Sequence, residues 1–203
     1  MTENKQKNRQ TARSINMLRN AFIELLKEQP YEKIKISEIA ERADLARSTF
    51  YAHYETKDDL LRSYLEEITV AYLAGYTTPI YWTPEKNVID LKKEIGFFQS
   101  WKNIDEIAVM IHEPYIEELI YKAIRNMHMK AYREIVSPNR PDLNPCFAGY
   151  WIEFLVSTKI ALLRNWTRND MKESPEILGE LLYSLSGIPV FERVHGEFKD
   201  SIC

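Results

Sequence analysis

Apolar residues recur at three- and four-residue intervals along almost the whole chain, the period of an α-helix with one buried face. Ile15, Leu18, Phe22 and Leu25 mark a first helix that must end before Pro30. Ile36, Ile39, Ala40 and Ala43 repeat the pattern over a shorter segment, and a third short helix is expected from about Arg47 to Tyr54. A fourth starts at Thr56, where Thr-Lys-Asp-Asp reads as a capping box with Asp59 reaching back. Its apolar positions Leu60, Leu61, Tyr64, Leu65 and Ile68 carry it toward Gly75. "GYTTPIYWTPEKN" then breaks regular structure at Pro79 and Pro84. Periodicity resumes at Val88, Leu91, Ile95, Phe98 and Trp101, with Asn103 and Glu106 as a further cap and an interruption at Pro114 before Val136. "SPNRPDLNP" is expected to be a loop; a long helix follows from about Cys146 to Trp166, and Ser174-Pro175 opens a last helix ending near Gly187.

The reading is therefore all-α, with small helices first and a larger helical region after them. Composition does not disturb it: 45% hydrophobic and 28% charged residues are ordinary for a globular chain, and 6 glycines are few for a β-sandwich. Charge adds an asymmetry. Residues 1–19 carry Lys5, Lys7, Arg9, Arg13 and Arg19 against Glu3 alone, within a chain of net charge -3. A basic N-terminal arm on an acidic body points to a polyanion at one end only.

Two short helices joined by "ADLA" have the proportions of a helix-turn-helix, whose second helix presents its first residues to base edges in a major groove. The turn needs a residue that tolerates a left-handed backbone, and Asp44 occupies it. Helical spacing points Leu45, Phe50 and Tyr54 inward and leaves Arg47, Ser48, Tyr51 and His53 outward. Lys57 falls at the start of the next helix, where its charge and the nearby amides suit a phosphate.

Residues 10–68 resemble the DNA-binding domain of the TetR family of transcriptional regulators, through "ISEIAERADLARSTFYAHYETKDDLL" preceded by "AFIELLKEQPYEKI". The most specific part is Thr49, Phe50, Tyr51, His53, Tyr54, Lys57 and Leu60. The resemblance implies that Tyr51 and Lys57 grip phosphates, that His53 contacts backbone or base, and that Arg47, Ser48 and Thr49 read bases. Lys35 and Arg13 are expected to add to the DNA-facing charge. Three residues depart from the family pattern: Asp44 stands where Gly is usual, Ala46 where Ser or Thr caps the recognition helix, and Lys35 where Thr caps the helix before it. The expected organisation is a basic disordered arm (1–9), a helix-turn-helix domain (10–55), a connecting helix (56–75) and a helical effector-binding and dimerisation domain (76–203).

"WIEFLVSTKIALLRNWTRNDMKESPEILGELL" is similar to the last two helices of a C-terminal subtype found in TetR-type regulators of Gram-positive bacteria. On the first of these helices Phe147, Trp151, Phe154, Leu155, Thr158 and Leu162 form one apolar stripe, and Ile152, Val156, Ile160 and Leu163 a second. A helix apolar on two faces must be covered on both. The expected homodimer interface is Phe154, Leu155, Leu162, Leu178, Leu181, Leu182 and Leu185. Trp101, Phe98, Tyr115, Tyr121 and Trp151 are the candidate walls of a pocket for an apolar or aromatic effector.

Other chemistries find little support. His112, Glu113 and His128 have no metal-ligand spacing, no nucleophile elbow or phosphate loop is present, and no cofactor is expected. Two cysteines make no disulfide framework, the N-terminus lacks an apolar leader, and no apolar run nears the ~18 residues of a membrane span. The expectation is a cytoplasmic, reduced, non-enzymatic homodimer on near-palindromic duplex DNA, released by a small molecule. The alternative is a DNA-bound adaptor whose C-terminal domain takes a partner protein.

Overall fold

The computed structural model describes residues 2–74, 82–83, 86–87, 91–104, 106–139, 141, 145–186 and 193. The chain divides into two units, Met1–Ile68 and Thr69–Cys203. In the first, α1 spans Thr2–Glu28, followed by a 3-10 turn at Tyr31–Lys33, α2 at Ile36–Arg42, α3 at Arg47–Tyr51 and the start of α4, Lys57–Ala74. The first nine residues were expected to be a disordered arm, yet α1 starts at Thr2. That stretch contains no Gly or Pro and is rich in Glu, Lys, Gln and Arg, which favour a helix.

The helical period sorts this unit as expected. Leu18, Ala21, Phe22, Leu25 and Leu26 of α1 are buried, as are Ile39, Ala40, Phe50, Leu60 and Leu61. Each fully buried large side chain contributes about 1.5–3 kcal/mol. Tyr31 seals the end of this core, its ring edge-on to Phe22 at 6.0 Å. The capping box at Thr56 is complete: Thr56 N–H donates to Asp59 Oδ2 (2.9 Å) and Asp59 N–H to Thr56 Oγ1 (3.2 Å).

In the second unit the stretch expected to be irregular holds a short antiparallel ladder, Trp82–Thr83 (β1) with Lys86–Asn87 (β2). Helix α5 covers Leu91–Lys102; Val88, its expected start, lies outside the described residues. The Asn103 cap does not form. The chain re-enters helix at α6, Ile107–Met110, with Glu106 at the cap position and no capping bond from its side chain. Pro114 opens α7 (Pro114–Ala131) at its first turn, where a missing N–H costs nothing. The chain then widens into a π-helical turn at Tyr132–Val136 and a short α8, Ser137–Asn139, inside the stretch expected to be loop.

α9 runs from Pro145 to Arg168. Asp170 (φ 54°) closes it, with Met171 N–H on Trp166 O at 2.9 Å and Asp170 N–H on Thr167 O at 3.3 Å. By length and composition α9 could cross a membrane, which the residue-by-residue reading did not anticipate. Half of its apolar window is buried in this unit. Cys146, in its first turn, is disulfide-bonded, a departure from the reduced state expected. Helix α10, Pro175–Ser186, packs on α5 so closely that a Cβ on Gly179 would stand 2.7 Å from the Ile95 backbone. Phe98 meets Trp166 edge-on at 5.7 Å, tying α5 to α9.

Candidate nucleic-acid interface

The turn between α2 and α3 is closed by two backbone bonds: Leu45 N–H to Ala40 O at 2.9 Å, and Asp44 N–H to Glu41 O at 3.0 Å. This is a Schellman closure, and it requires its next-to-last residue to be left-handed. Asp44 is, at φ 53°. Gly is the easier residue there, and Asp and Asn are among the few others that tolerate it. Ala46, at the cap of α3, provides no side-chain hydrogen bond. At the cap of α2 the Lys35 ammonium has no acceptor to offer, but its backbone N–H donates to Glu38 Oε2 at 2.8 Å, the reciprocal half of a capping box.

The closed turn fixes which residues of α3 face out. Phe50 and Tyr54 are buried and Leu45 is half-buried. Arg47 and Ser48 are exposed, Thr49 is half-buried, and Tyr51 keeps half its surface in solvent, with its ring edge-on to Phe50 at 5.7 Å. Arg13 and Lys35 are exposed as well. This leaves two hydroxyls, a guanidinium and a phenol on one short helix, a set able to bond base edges and phosphates.

Two residues expected on the DNA face are committed elsewhere. The Lys57 ammonium donates to the carbonyls of Tyr31 (2.7 Å), Glu32 (3.2 Å) and Ile34 (3.0 Å). It also lies over the Tyr31 ring, 4.3 Å from its centre. An ammonium has three donors, so these carbonyls saturate it. Lys57 ties the first turn of α4 to the 3-10 connection between α1 and α2, and Asp58 accepts the Tyr31 hydroxyl beside it. His53 is half-buried, with Nε2 2.7 Å from Ser14 Oγ. The Ser14 proton goes back to the carbonyl of Thr11 (2.9 Å) or Gln10, so Oγ accepts from Nε2–H and His53 pins the end of α3 to α1.

The basic arm also changes in content. Arg19 forms a two-pronged ion pair with Glu67 (2.6 and 3.1 Å) and lies over Tyr64, which removes one positive charge from the expected arm. Arg42 is held in the same way by Glu28, whose carboxyl the guanidinium keeps below the usual range. A groove of about 640 Å³ beside it is lined by Leu25, Glu28, Gln29, Glu38, Glu41 and Arg42, and its carboxylates suit no polyanion.

The residues expected to line an effector pocket make the following contacts among the described residues. Phe98 and Trp101 share a cluster with Phe97, whose ring is 5.0 Å from Phe98 and 6.0 Å from Trp101. Trp151 stacks on Phe147 at 6.2 Å and tilts against Phe154 at 5.6 Å. Tyr121 donates to Glu153, which also binds Arg125, on the flank of α7 and α9; the bond raises the Tyr121 pKa and lowers that of Glu153. Tyr115 is half-buried near the start of α7.

Of the expected dimer residues, Leu155, Leu178 and Leu182 are buried within their own unit, and Leu162 is half-buried. Most residues of both apolar stripes read on α9 are buried or half-buried, because α6, α7 and α10 pack against it. Phe154, Leu181 and Leu185 of the expected set stay exposed, beside Tyr150 on α9 and Ile177 on α10, with Ile177, Leu181 and Leu185 at four-residue steps. Three ionisable groups that the sequence reading did not connect meet inside this unit, Glu94, His128 and Lys159, each about 98% buried.

Comparison with known proteins agrees with this geometry. Residues 18–64 match the family described as bacterial regulatory proteins, tetR family, and residues 97–186 match a transcriptional regulator C-terminal region. An uncharacterized HTH-type transcriptional regulator of Bacillus subtilis (strain 168), YxbF, is 37% identical over 136 residues; the match covers 64% of this chain and 36% of the relative, so the chain spans about a third of that protein's length. A TetR transcriptional regulator from Streptococcus agalactiae 2603V shares 25% identity at a TM-score of 0.58, covering 89% of this chain and 97% of that one. FadR from Bacillus subtilis, solved in complex with stearoyl-CoA, shares 18% identity at a TM-score of 0.60, covering 85% of this chain and 98% of that one. With a helix-turn-helix match over the first unit and a regulator C-terminal match over the second, the chain belongs to the TetR family of bacterial regulatory proteins, DNA-binding regulators of transcription.

Proposed function

We propose that this protein is a homodimeric cytoplasmic repressor that binds a near-palindromic operator and leaves it when an apolar or aromatic effector binds the second unit. The observation that carries the reading is the α2–α3 turn, whose left-handed Asp44 sets Arg47, Ser48 and Tyr51 on one exposed surface. Arg47, Ser48 and Thr49 read bases; Tyr51, Arg13 and Lys35 hold phosphates; His53 and Lys57 position the helix. One helix of five residues reads few bases, so specificity needs a second copy. The uncovered apolar residues of α9 and α10 support that pairing.

Control requires that the effector favour a form in which the two recognition helices miss successive major grooves, about 34–36 Å apart. A coupling of about 1–3 kcal/mol is enough. The complex of FadR with stearoyl-CoA supports ligand binding on this fold. The same apolar face favours the adaptor alternative, in which α9 and α10 take a partner protein. Titration of the protein–operator complex with apolar aromatic compounds separates the two readings. Release of DNA that saturates with compound concentration is expected, and a complex that no compound dissociates would favour the adaptor.

A further inference from the structure

Glu94 of α5, His128 of α7 and Lys159 of α9 converge in the second unit, with 2%, 1% and 2% of their surface exposed. Lys159 Nζ is 3.1 Å from Glu94 Oε2 and 3.3 Å from His128 Nε2, and it lies over the Phe97 ring at 5.1 Å. His128 Nδ1 is 2.8 Å from the Ile124 carbonyl. Nδ1–H therefore donates to that carbonyl, and Nε2 is left to accept from the ammonium. Burial and the neighbouring ammonium both hold the imidazole well below its usual pKa, so a neutral ring stands beside the Glu94–Lys159 ion pair.

Desolvating such a pair costs several kcal/mol per ion before the attraction between them is counted, and an apolar core of the same volume is often as stable. Stability alone therefore gives little reason for the cluster. Two further atoms lack hydrogen-bond partners among the described residues: Glu94 Oε2, which meets Lys159 without hydrogen-bond alignment, and Trp101 Nε1, on a side chain 5% exposed. A buried indole N–H or carboxylate oxygen normally finds a partner. Glu94 and Trp101 lie seven residues apart on one face of α5, about 10 Å between Cα atoms. Phe97 and Phe98 lie between them, and the Phe97 ring borders both the ammonium and the indole.

We propose that Glu94, Lys159 and Trp101 form the polar part of the effector site, which takes an uncharged aromatic molecule with hydroxyl groups at its two ends. The inference rests on the effector reading above and gives the ligand a chemical class. The Lys159 ammonium already has its counter-charge in the Glu94 carboxylate, at 3.1 Å. A carboxylate ligand would leave two buried anions around one ammonium, and a cationic ligand would add a second cation; either leaves a buried charge uncompensated. A hydroxyl can donate to Glu94 Oε2 at one end and another can accept from Trp101 Nε1 at the other, with the ion pair undisturbed.

The test is calorimetric titration of the full chain with 2,6-dihydroxynaphthalene, 2-naphthol, naphthalene and 2,6-naphthalenedicarboxylate, which share one ring frame. The expected order is diol tightest, then naphthol, then naphthalene, each lost hydroxyl costing up to about tenfold, with the dicarboxylate weakest. Trp101→Phe should weaken the diol by up to about tenfold and leave naphthalene unchanged. The series on the native chain decides the question even if the variant folds poorly. Tightest binding by the dicarboxylate, equal binding of diol and naphthalene, or an equal loss for both in Trp101→Phe overturns the inference. If diol and naphthalene bind equally and still release DNA, the effector reading stands without it. If none of the four binds, the site and an aromatic effector for it fall together.

Discussion

Lys57→Met is expected to lower stability by about 2–3 kcal/mol and to weaken binding to every duplex, while leaving the salt dependence of binding unchanged. The carbonyls of Tyr31, Glu32 and Ile34 lose a charged donor, and hydrogen bonds to charged groups are worth about 1.5–3 kcal/mol each, offset here by water that reaches a half-buried site. In a chain of this size the thermal midpoint should fall by roughly 4–12 °C. The α1–α2 connection then loses its tie to α4, and the recognition helix loses part of its support. The salt slope is the decisive quantity. A lysine on a phosphate releases about one counterion, so its removal reduces the slope by roughly one unit. A lysine that only holds carbonyls reduces it by nothing. Denaturation, together with binding measured at several salt concentrations, separates the two roles: a native midpoint with a slope lowered by one would return Lys57 to the DNA.

The largest effect is expected from charging the uncovered face of the second unit. Leu181→Glu with Leu185→Glu should give a folded monomer that has lost specific DNA binding. Both side chains are nearly half exposed, so glutamates there remain solvated in the single chain and leave its fold intact. Between two copies they would face the apolar row of Tyr150, Phe154 and Ile177 without a partner for their charge, an expensive burial. Buried Leu182 is the contrasting control: Leu182→Glu should unfold the unit instead of dissociating it. Sedimentation should give twice the chain mass for the native protein and the single mass for the double variant. A native protein that sediments as a monomer at micromolar concentration removes the dimer from the account.

Much of the first unit was legible in the sequence, because its signals are local. The break before Pro30, the Thr56–Asp59 box and the inward placement of Phe50 and Tyr54 each follow from residues within one or two turns. What could not be read was long-range pairing. Nothing near Lys57 announces carbonyls 23 to 26 residues away, and nothing near Arg19 announces Glu67. The same holds for Ser14 and His53.

The second unit shows the converse. Its buried ion pair left a trace that was available: Glu94 falls in step with Phe97, Phe98 and Trp101, His128 with Ile120 and Ile124, and Lys159 with Trp151 and Leu155. An ionisable residue at a core position of an apolar stripe calls for a partner, and three such residues in one region point to one another. The residues expected at the interface on α9 divide for a related reason. Periodicity gives the apolar faces of a helix but not how far neighbours will cover them, and here Leu155 is buried while Phe154 stays exposed.

The central claim is that α3 reads base sequence as one half of a two-fold pair. Selection of bound duplexes from a random pool, run in parallel with the native chain and Arg47→Ala, tests it most directly. The native chain should enrich an inverted repeat whose half-sites are spaced by about one helical turn or a multiple of it. The variant should recover the same repeat with preference lost at the same one or two base pairs in each half, at a cost of about 1–3 kcal/mol per contact. An enriched sequence without two-fold symmetry, or an identical motif from both proteins, would contradict it.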